Sequence, residues 1–383
     1  MISLTTSAEL VSHDNILTQI LLRLPIRSIV RFKCVSKHWQ YLLSSSRFAL
    51  LHRNLNHKLN SPSGLMLRRN NARTKPEYAF VLFDHVNPVK TPFKSIDHIV
   101  FDKKQLFSYD IMQSSNGLLL IRTMIMDYHV YNPTINQCSN IPKYDNKDDG
   151  FESVPRGMTL VFDPLISPHY KLVCIRMFLG SCYGRIEVYS SENRNWVSFA
   201  KQVFMPDSKV ELRSGIYWDD RIHWARNVAV YYFNINENRG DHILLPYDVR
   251  GHILSSGWRD CYPSLVESND SLLLYEDFYS SGKVNIYELK KDYSGWSKKY
   301  YVRIEHIHSD LINRNLFFRN YIVHYFFPGV LREEDAYLVI ETPRSIIRYN
   351  LLSKSCQKLC VFDSSIPHRK LGVFLFNESL SHV

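Results

Sequence analysis

The sequence lacks the patterns by which many enzymes and membrane proteins are recognised. It has no Gly-x-Ser-x-Gly turn, no phosphate-binding P-loop and no His-Glu-x-x-His helix, so the corresponding hydrolase, nucleotidase and zinc-protease classes have no support. The most apolar stretch, residues 316–331, is interrupted by Arg319, His324, Pro328 and Gly329. It is shorter than the roughly 20 apolar residues that span a bilayer, and we expect it to form a buried strand.

Paired cysteines are missing as well. The seven cysteines are an odd number and include no Cys-x-x-Cys spacing, which is typical of a reducing compartment. No signal-peptide pattern is evident at the start of the chain, so we expect a location in the cytoplasm, the nucleus or both. His306 and His308 lie on one face of a predicted strand at a spacing that a metal ion could use. No third ligand is evident nearby, and we expect neither a metal nor a cofactor.

Acidic residues are scarce in the first 60 positions. This stretch contains eight Lys or Arg but only two acidic residues, Glu9 and Asp14, so it carries +6 of the total net charge of +10. Basic and apolar residues alternate between Arg27 and Lys33, which favours an acidic protein surface over nucleic acid as the partner. A second basic cluster at 68–75 reads as part of a solvated linker, with a nuclear-localisation or phosphate-binding patch as the alternative.

Residues 13–43 read as three short amphipathic helices. Asp14 is a candidate cap for the first helix, Pro25 should end it, and Ser36 should cap the third. The first helix carries its apolar residues on one stripe: Ile16, Leu17, Ile20, Leu21 and Leu24. Roughly 30 residues are too few to form a stable domain alone, so a partner is implied.

This segment resembles an F-box. The family's order of Ile-Leu, Leu-Pro, a basic amphipathic turn, Cys-Val-Ser-Lys and Trp is present between residues 20 and 39. A chance helical hairpin at the start of another domain is the alternative. The resemblance implies binding to the S-phase kinase-associated adaptor protein and, through it, to cullin. It places eight residues in the adaptor-facing surface or in the F-box core, two roles that the sequence does not separate: Ile20, Leu21, Leu24, Pro25, Val30, Cys34, Val35 and Trp39.

After residue 76 the pattern changes to short strands separated by turn residues. An apolar strand that ends in an aromatic residue and is followed by a polar turn recurs at spacings of 44 to 62 residues. A hairpin repeat near 50 residues is typical of a kelch-like β-propeller, and about 300 residues would give about six blades. A β-sandwich is the alternative. The aromatic anchors are Tyr131, Tyr189, Phe233, Tyr287 and Tyr349, with a weaker copy at Phe83.

A second resemblance lies in the same region. The runs 114–120, 161–164 and 215–218, each followed by a further matching motif, are similar in order and spacing to the F-box-associated domain of plant F-box proteins. The two resemblances together imply a small all-α F-box of three helices followed by an all-β, kelch-like propeller. The domain boundaries that we predict are a disordered N-terminus at 1–10, the F-box at 11–55, a polar basic linker at 56–75, the propeller at 76–375 and a C-terminal tail at 376–383.

The resemblance implies a non-catalytic substrate receptor of an SCF-type E3 ubiquitin ligase, in which the β domain binds the target protein. A turn-rich loop at 257–263 is one candidate for target contact through Trp258, Arg259 and Tyr262, since these residue types dominate interface energies. A packed connection between blades is the alternative for this loop. A ligase-independent module that binds RNA or glycans, with a vestigial F-box, is the alternative function, and an enzyme would need convergent carboxylates or ligands in a pocket.

Overall fold

The chain begins with a small helical unit. The computed structural model describes residues 7–56, 62–69, 77–83, 89–90, 109–123, 126–144, 153–178, 183–199, 203–204, 215–226, 228–256, 263–268, 270–278, 283–303, 322–327, 336–342, 345–362 and 371–383. Four helices come first: α1 (Ser7–Leu21), α2 (Ile26–Phe32), α3 (Lys37–Leu43) and α4 (Ser46–Leu55). Residues 7–10 are helical, so the predicted disorder at 1–10 is wrong for them; α4 adds a fourth helix to the three expected.

Strands make up most of the rest of the chain. Their bounds, in chain order and with the one further helix in its place, are β1 (Gly64–Arg69), β2 (Glu77–Leu82), β3 (Val89–Lys90), β4 (Tyr109–Ser115), β5 (Leu118–Thr123), β6 (Tyr128–Asn132), β7 (Gln137–Asn140), β8 (Ser153–Val161), β9 (Lys171–Phe178), β10 (Tyr183–Ser190), β11 (Asn195–Ser198), β12 (Val203–Phe204), β13 (Ile216–Trp218), β14 (Arg221–Arg226), β15 (Ala229–Asn234), β16 (Arg239–Leu244), α5 (Tyr247–Ser256), β17 (Ser264–Ser268), β18 (Ser271–Phe278), β19 (Lys283–Leu289), β20 (Trp296–Arg303), β21 (Ile322–Phe327), β22 (Tyr337–Thr342), β23 (Ser345–Asn350), β24 (Cys356–Val361) and β25 (Leu371–Phe376).

The described strands form six sheets, and these are the blades of a six-bladed β-propeller. Five blades each contain four antiparallel strands that follow one another in the chain: β4–β7, β8–β11, β13–β16, β17–β20 and β21–β24. Two short strands lie outside this order, since β12 pairs with β10 and β3 pairs in parallel with β24. Consecutive hairpins explain the spacing of the sequence repeat, and six separate sheets exclude the β-sandwich.

The ring is closed by strands from both ends of the β region. β1 pairs with β2 on one side and with β25 on the other, so Leu65 lies opposite both Val81 and Leu375. The prediction of a linker at 56–75 is therefore wrong for residues 64–69, which lie in the closing blade. The basic residues at 68–75 conceal this strand in the sequence, because they are typical of a solvated segment.

The predicted aromatic anchors occupy equivalent places. Tyr131, Tyr189, Phe233, Tyr287 and Tyr349 all lie in the third strand of their blade, and all are buried. In three blades this strand ends in Asn, whose Oδ1 accepts backbone N–H bonds from the turn: Thr134 to Asn132, Asn236 to Asn234 and Leu352 to Asn350, at 2.9 to 3.0 Å. The aromatic residue packs the blade and the Asn fixes its turn.

Apolar side chains fill the spaces between neighbouring blades. Trp224 of β14 packs with Ile175, Ile186 and Val188 of the preceding blade, and Trp218 packs with Leu272 and Leu289 of the following one. Both tryptophans therefore fill spaces between neighbouring blades. The expected buried strand within 316–331 is present as β21.

Candidate functional site

Local sequence signals organise the N-terminal helices. Pro25 precedes α2, and the hydroxyls of Ser36 and Ser45 accept hydrogen bonds from the backbone N–H groups of Trp39 and Phe48 at 3.1 Å. These serines cap α3 and α4, so the predicted cap at Ser36 is confirmed.

Asp14 does not cap the first helix. The helix begins at Ser7 and ends at Leu21, which leaves Asp14 in its middle and places Leu24 in the turn before α2. The Asp14 carboxylate lies 2.9 Å from Nε2 of His38 on α3. Asp14 therefore joins two helices instead of satisfying the N–H groups at a helix start.

The helices share one apolar core, which separates the eight residues of the F-box pattern. Leu21 is 1% exposed and lies in the core with Leu22, Ile29, Leu43 and Phe48. Three further predicted residues are half-buried against this core: Leu24, Val30 and Trp39. The Trp39 ring meets Phe32 edge-on with centroids 5.5 Å apart. These four residues hold the helices together.

The other four residues of the pattern point away from the core. Ile20 is 57% and Val35 60% exposed, and Pro25 and Cys34 are also exposed. Two apolar residues that we did not include in this set join them: Ile16 is 59% and Tyr41 81% exposed. Ile16 and Ile20 are four positions apart on α1 and thus share a face. The single apolar stripe predicted for this helix therefore divides into this exposed pair and the core-packed Leu17 and Leu21.

The same helices also expose basic side chains. Arg23, Arg27, Arg31, Lys37 and Arg47 are exposed, whereas Lys33 is half-buried and burial lowers the pKa of its amine. Burial also lowers the pKa of His52, although the Leu24 carbonyl, 2.9 Å from His52 Nε2, opposes that shift. The helical unit thus offers an apolar surface within a positively charged field, which suits an acidic protein partner.

The C-terminal residues join the helical unit to the propeller. Leu380 is buried in the core of the helices, and Glu378 accepts a 2.5 Å hydrogen bond from Nε of Arg27 on α2. On the propeller side, the fully buried Asn132 donates both amide hydrogens, to the Ser379 carbonyl at 3.0 Å and the Ser381 carbonyl at 2.7 Å. We call residues 377–383 the tail. Nothing in the sequence pattern indicated this contact.

A second contact runs from α4 to the turn between β4 and β5. Asn116 and Gly117 form this turn with φ of 45° and 90°, values that both residue types tolerate. Oδ1 of Asn116 accepts from the Arg53 guanidinium at 3.2 Å, and its amide donates to the Phe162 carbonyl at 2.7 Å. Arg53 thus attaches the helical unit to this turn, and Asn116 joins the turn to the neighbouring blade.

The predicted target-contact residues Trp258, Arg259 and Tyr262 lie outside the described residues, and so do His306 and His308. The helix just before that loop, α5, is anchored by the buried Val249 and Ile253. Within the described ranges, no three His, Cys, Asp or Glu residues come close enough to hold a metal ion. No helix in the same ranges is long and apolar enough to cross a membrane.

Comparison with known proteins identifies both parts of the chain. Residues 13–51 match the F-box domain, and residues 89–353, more than half of the chain, match the family described as "F-box protein At3g26010-like, beta-propeller". The chain belongs to this F-box propeller family. The F-box match includes all eight predicted pattern residues and most of α4.

Curated relatives of this F-box propeller protein come from Arabidopsis thaliana. F-box protein At5g07610 is 27% identical over 99% of this chain and 94% of its own length. Putative F-box/kelch-repeat protein At4g22430 is 32% identical over 50% of this chain and 45% of its own length. F-box/kelch-repeat protein At3g23880 is 25% identical over 57% and 61%. The full-length match to the first relative covers the F-box and the propeller together.

Proposed function

We propose that this F-box propeller protein is the non-catalytic substrate receptor of an SCF-type E3 ubiquitin ligase. In this role the F-box docks the S-phase kinase-associated adaptor, the adaptor binds cullin, and the propeller, which we expect to be of the kelch-like kind, holds the target protein. The observation that carries the proposal is the exposed apolar surface of the F-box. Its core is already packed, yet Ile16, Ile20 and Val35 remain in solvent, which a docking partner would cover.

Exposure divides the eight pattern residues between two proposed roles. Ile20, Pro25, Cys34 and Val35 are proposed to contact the adaptor, whereas Leu21, Leu24, Val30 and Trp39 are proposed to support that surface from within. Trp258, Arg259 and Tyr262 remain our candidates for target contact. The receptor would act in the cytoplasm, the nucleus or both.

Adaptor co-purification tests the proposal. We expect Ile20→Asp and Val35→Asp to remove adaptor binding while circular dichroism and melting temperature stay native, because both side chains are exposed and their replacement leaves no cavity. Val197→Asp is the matched control, since Val197 is 55% exposed on β11 of the propeller, and it should retain the adaptor.

Two outcomes would contradict the proposal. Failure of the native protein to bind the adaptor would favour a ligase-independent RNA or glycan module with a vestigial F-box. Unchanged binding by both Asp variants would show that the exposed apolar face is not the docking surface.

A further inference from the structure

A cavity of about 270 Å³ lies between the blade β4–β7 and the blade β8–β11. Two cationic residues, Lys143 and Arg176, line it together with apolar and aromatic side chains that include Met126, Tyr144, Met158 and Trp196. Sites for drug-sized ligands occupy about 300–1,000 Å³. This cavity is below that range, so it fits one or two side chains of a peptide better than a larger ligand.

The charged floor of the cavity is held in a fixed position. The Glu187 carboxylate is fully buried, and it accepts from Nε of Arg176 at 3.0 Å and from Nε of Arg185 at 2.8 Å. Arg176 is itself 13% exposed. Because Nε makes the contact with Glu187, the terminal N–H groups of Arg176 remain for another acceptor, and no partner for them exists among the described residues.

Aromatic rings form the walls around Arg176. The Tyr144 ring centroid is 5.7 Å from the Arg176 guanidinium carbon, at cation–π distance. Tyr144 and Trp196 meet edge-on at 6.2 Å, and Trp196 Nε1 donates to the Pro142 carbonyl at 2.7 Å. The rings and the guanidinium group are thus positioned before any ligand binds, which lowers the entropic cost of binding.

The charge of the group favours a carboxylate. Arg176 and Arg185 share the single carboxylate of Glu187, and the amine of Lys143, which also lines the cavity, is paired with Asp127 at 2.9 Å. A carboxylate carries one negative charge and accepts both hydrogens of a guanidinium edge. A phosphate carries nearly two negative charges and fits this site less well.

We infer that the cavity binds an acidic–apolar segment of the target protein, in which an Asp or Glu carboxylate meets Arg176 and a neighbouring apolar side chain lies between Tyr144, Met158 and Trp196. This inference rests on the receptor role proposed above, because that role requires a peptide ligand on the propeller.

Binding of short peptides to the full-length protein tests the inference. The probes are N-acetylated amides of Gly-Xaa-Glu-Gly, with Phe, Leu, Met or Tyr at Xaa, and the same peptides with Gln in place of Glu. Titration calorimetry should show that at least one Glu peptide binds on the order of tenfold more tightly than its Gln counterpart, because only the former makes a charge-assisted pair.

Two pairs of variants locate the binding. Arg176→Gln should remove the preference for Glu, whereas Arg239→Gln, which removes one charge from an exposed site on β16, should keep it. Because Arg176→Gln leaves Glu187 with one partner fewer, a second pair avoids the buried group. Met126 is 47% exposed at the cavity, so Met126→Glu should repel the Glu peptides and Met126→Gln should not.

Three results would overturn the inference: no binding of any Glu peptide to the native protein, equal binding of Glu and Gln peptides, or full binding by Met126→Glu. Tighter binding of free 3-phenylpropanoate than of every peptide would overturn the peptide assignment in favour of a small carboxylic acid. Adaptor co-purification of Met126→Glu is read separately, and it should be native even if the peptides fail.

Discussion

The attachment of the F-box to the propeller should depend on one asparagine. Asn132→Ala removes the two hydrogen bonds from the side-chain amide to the tail and the one that its Oδ1 accepts from Thr134. Asn234 offers a matched control at the equivalent place of another blade. It is also buried, and its Oδ1 accepts from Asn236 and Glu237 at 2.9 Å, both of which lie in the turn and not in the tail. Both Ala variants lose hydrogen bonds to a turn, and Asn132→Ala also loses the two bonds to the tail.

The size of this additional loss follows from the contacts. Each hydrogen bond contributes about 0.5–1.5 kcal/mol, so the two bonds to the Ser379 and Ser381 carbonyls give about 1–3 kcal/mol. This free energy should appear as a loss of protection in the helices, since the tail carries Leu380 into their core. At a factor of ten per 1.4 kcal/mol, amide hydrogen exchange in α2 to α4 should become about 5- to 150-fold faster in Asn132→Ala.

Hydrogen exchange followed by mass spectrometry is the assay, because it reports the helices and the blades separately and does not assume that they unfold together. We expect faster exchange in α2 to α4 for Asn132→Ala and native exchange there for Asn234→Ala. If both variants leave exchange in the helices unchanged, the tail does not stabilise the F-box. If both variants accelerate exchange in α2 to α4 equally, the effect comes from the turn in the blade, and stabilisation of the helices by the tail is refuted.

Two further predictions concern stability. Gly117→Ala should lower the melting temperature, because Gly117 has φ of 90° and an added Cβ would come within 2.5 Å of Ser379 Cβ and 2.9 Å of the Asn377 carbonyl oxygen. Gly251→Ala is the control and should not lower it, since a Cβ there meets nothing within 4 Å. Equal melting temperatures of the two variants would refute the close approach of the tail to Gly117. His223 should make the protein sensitive to acid, since burial lowers its pKa from 6.5 to about 4. The unfolded chain binds the proton more readily than the folded protein does. The contribution of His223 to the free energy of unfolding is therefore complete above pH 6.5 and falls by about 3 kcal/mol between pH 6.5 and 4. Urea midpoints at pH 7 and 4.5 should therefore differ less for His223→Gln than for the native protein, and an unchanged difference would remove His223 as the cause.

Periodic features of the fold could be predicted from the sequence. The anchors from Tyr131 to Tyr349 recur because every blade needs a large buried side chain in its third strand. Asn132 and Asn350 recur because the following turn needs a side-chain acceptor. Ser36 was found for a similar local reason, since a cap depends on the residues just after it. Each of these signals lies within one hairpin or one helix turn.

The features that were missed depend on contacts between distant parts of the chain. The pairing of residues 64–69 with β25 joins positions about 300 residues apart, and the basic residues nearby hide the strand pattern. The prediction of where α1 starts was also wrong. Asp14 resembles a helix cap in the sequence, but its carboxylate is paired with His38, which lies 24 residues later in the chain. Within the F-box pattern, separating the exposed Val35 from the half-buried Val30 needed the three-dimensional packing.

The helical segment, which is too small to be stable alone, obtains apolar contacts from two sources. Some of the missing apolar surface comes from this chain itself, because Leu380 of the tail and Ile135 of the blade β4–β7 pack against the helices. Ile16, Ile20 and Val35 remain exposed after that contribution, and this remainder is what an adaptor would cover. The tail thus stabilises the core of the helices and leaves Ile16, Ile20 and Val35 exposed. If so, loss of the bond network at Asn132 should weaken adaptor binding without any change in the docking residues, whereas Ile20→Asp should remove binding without loosening α2 to α4.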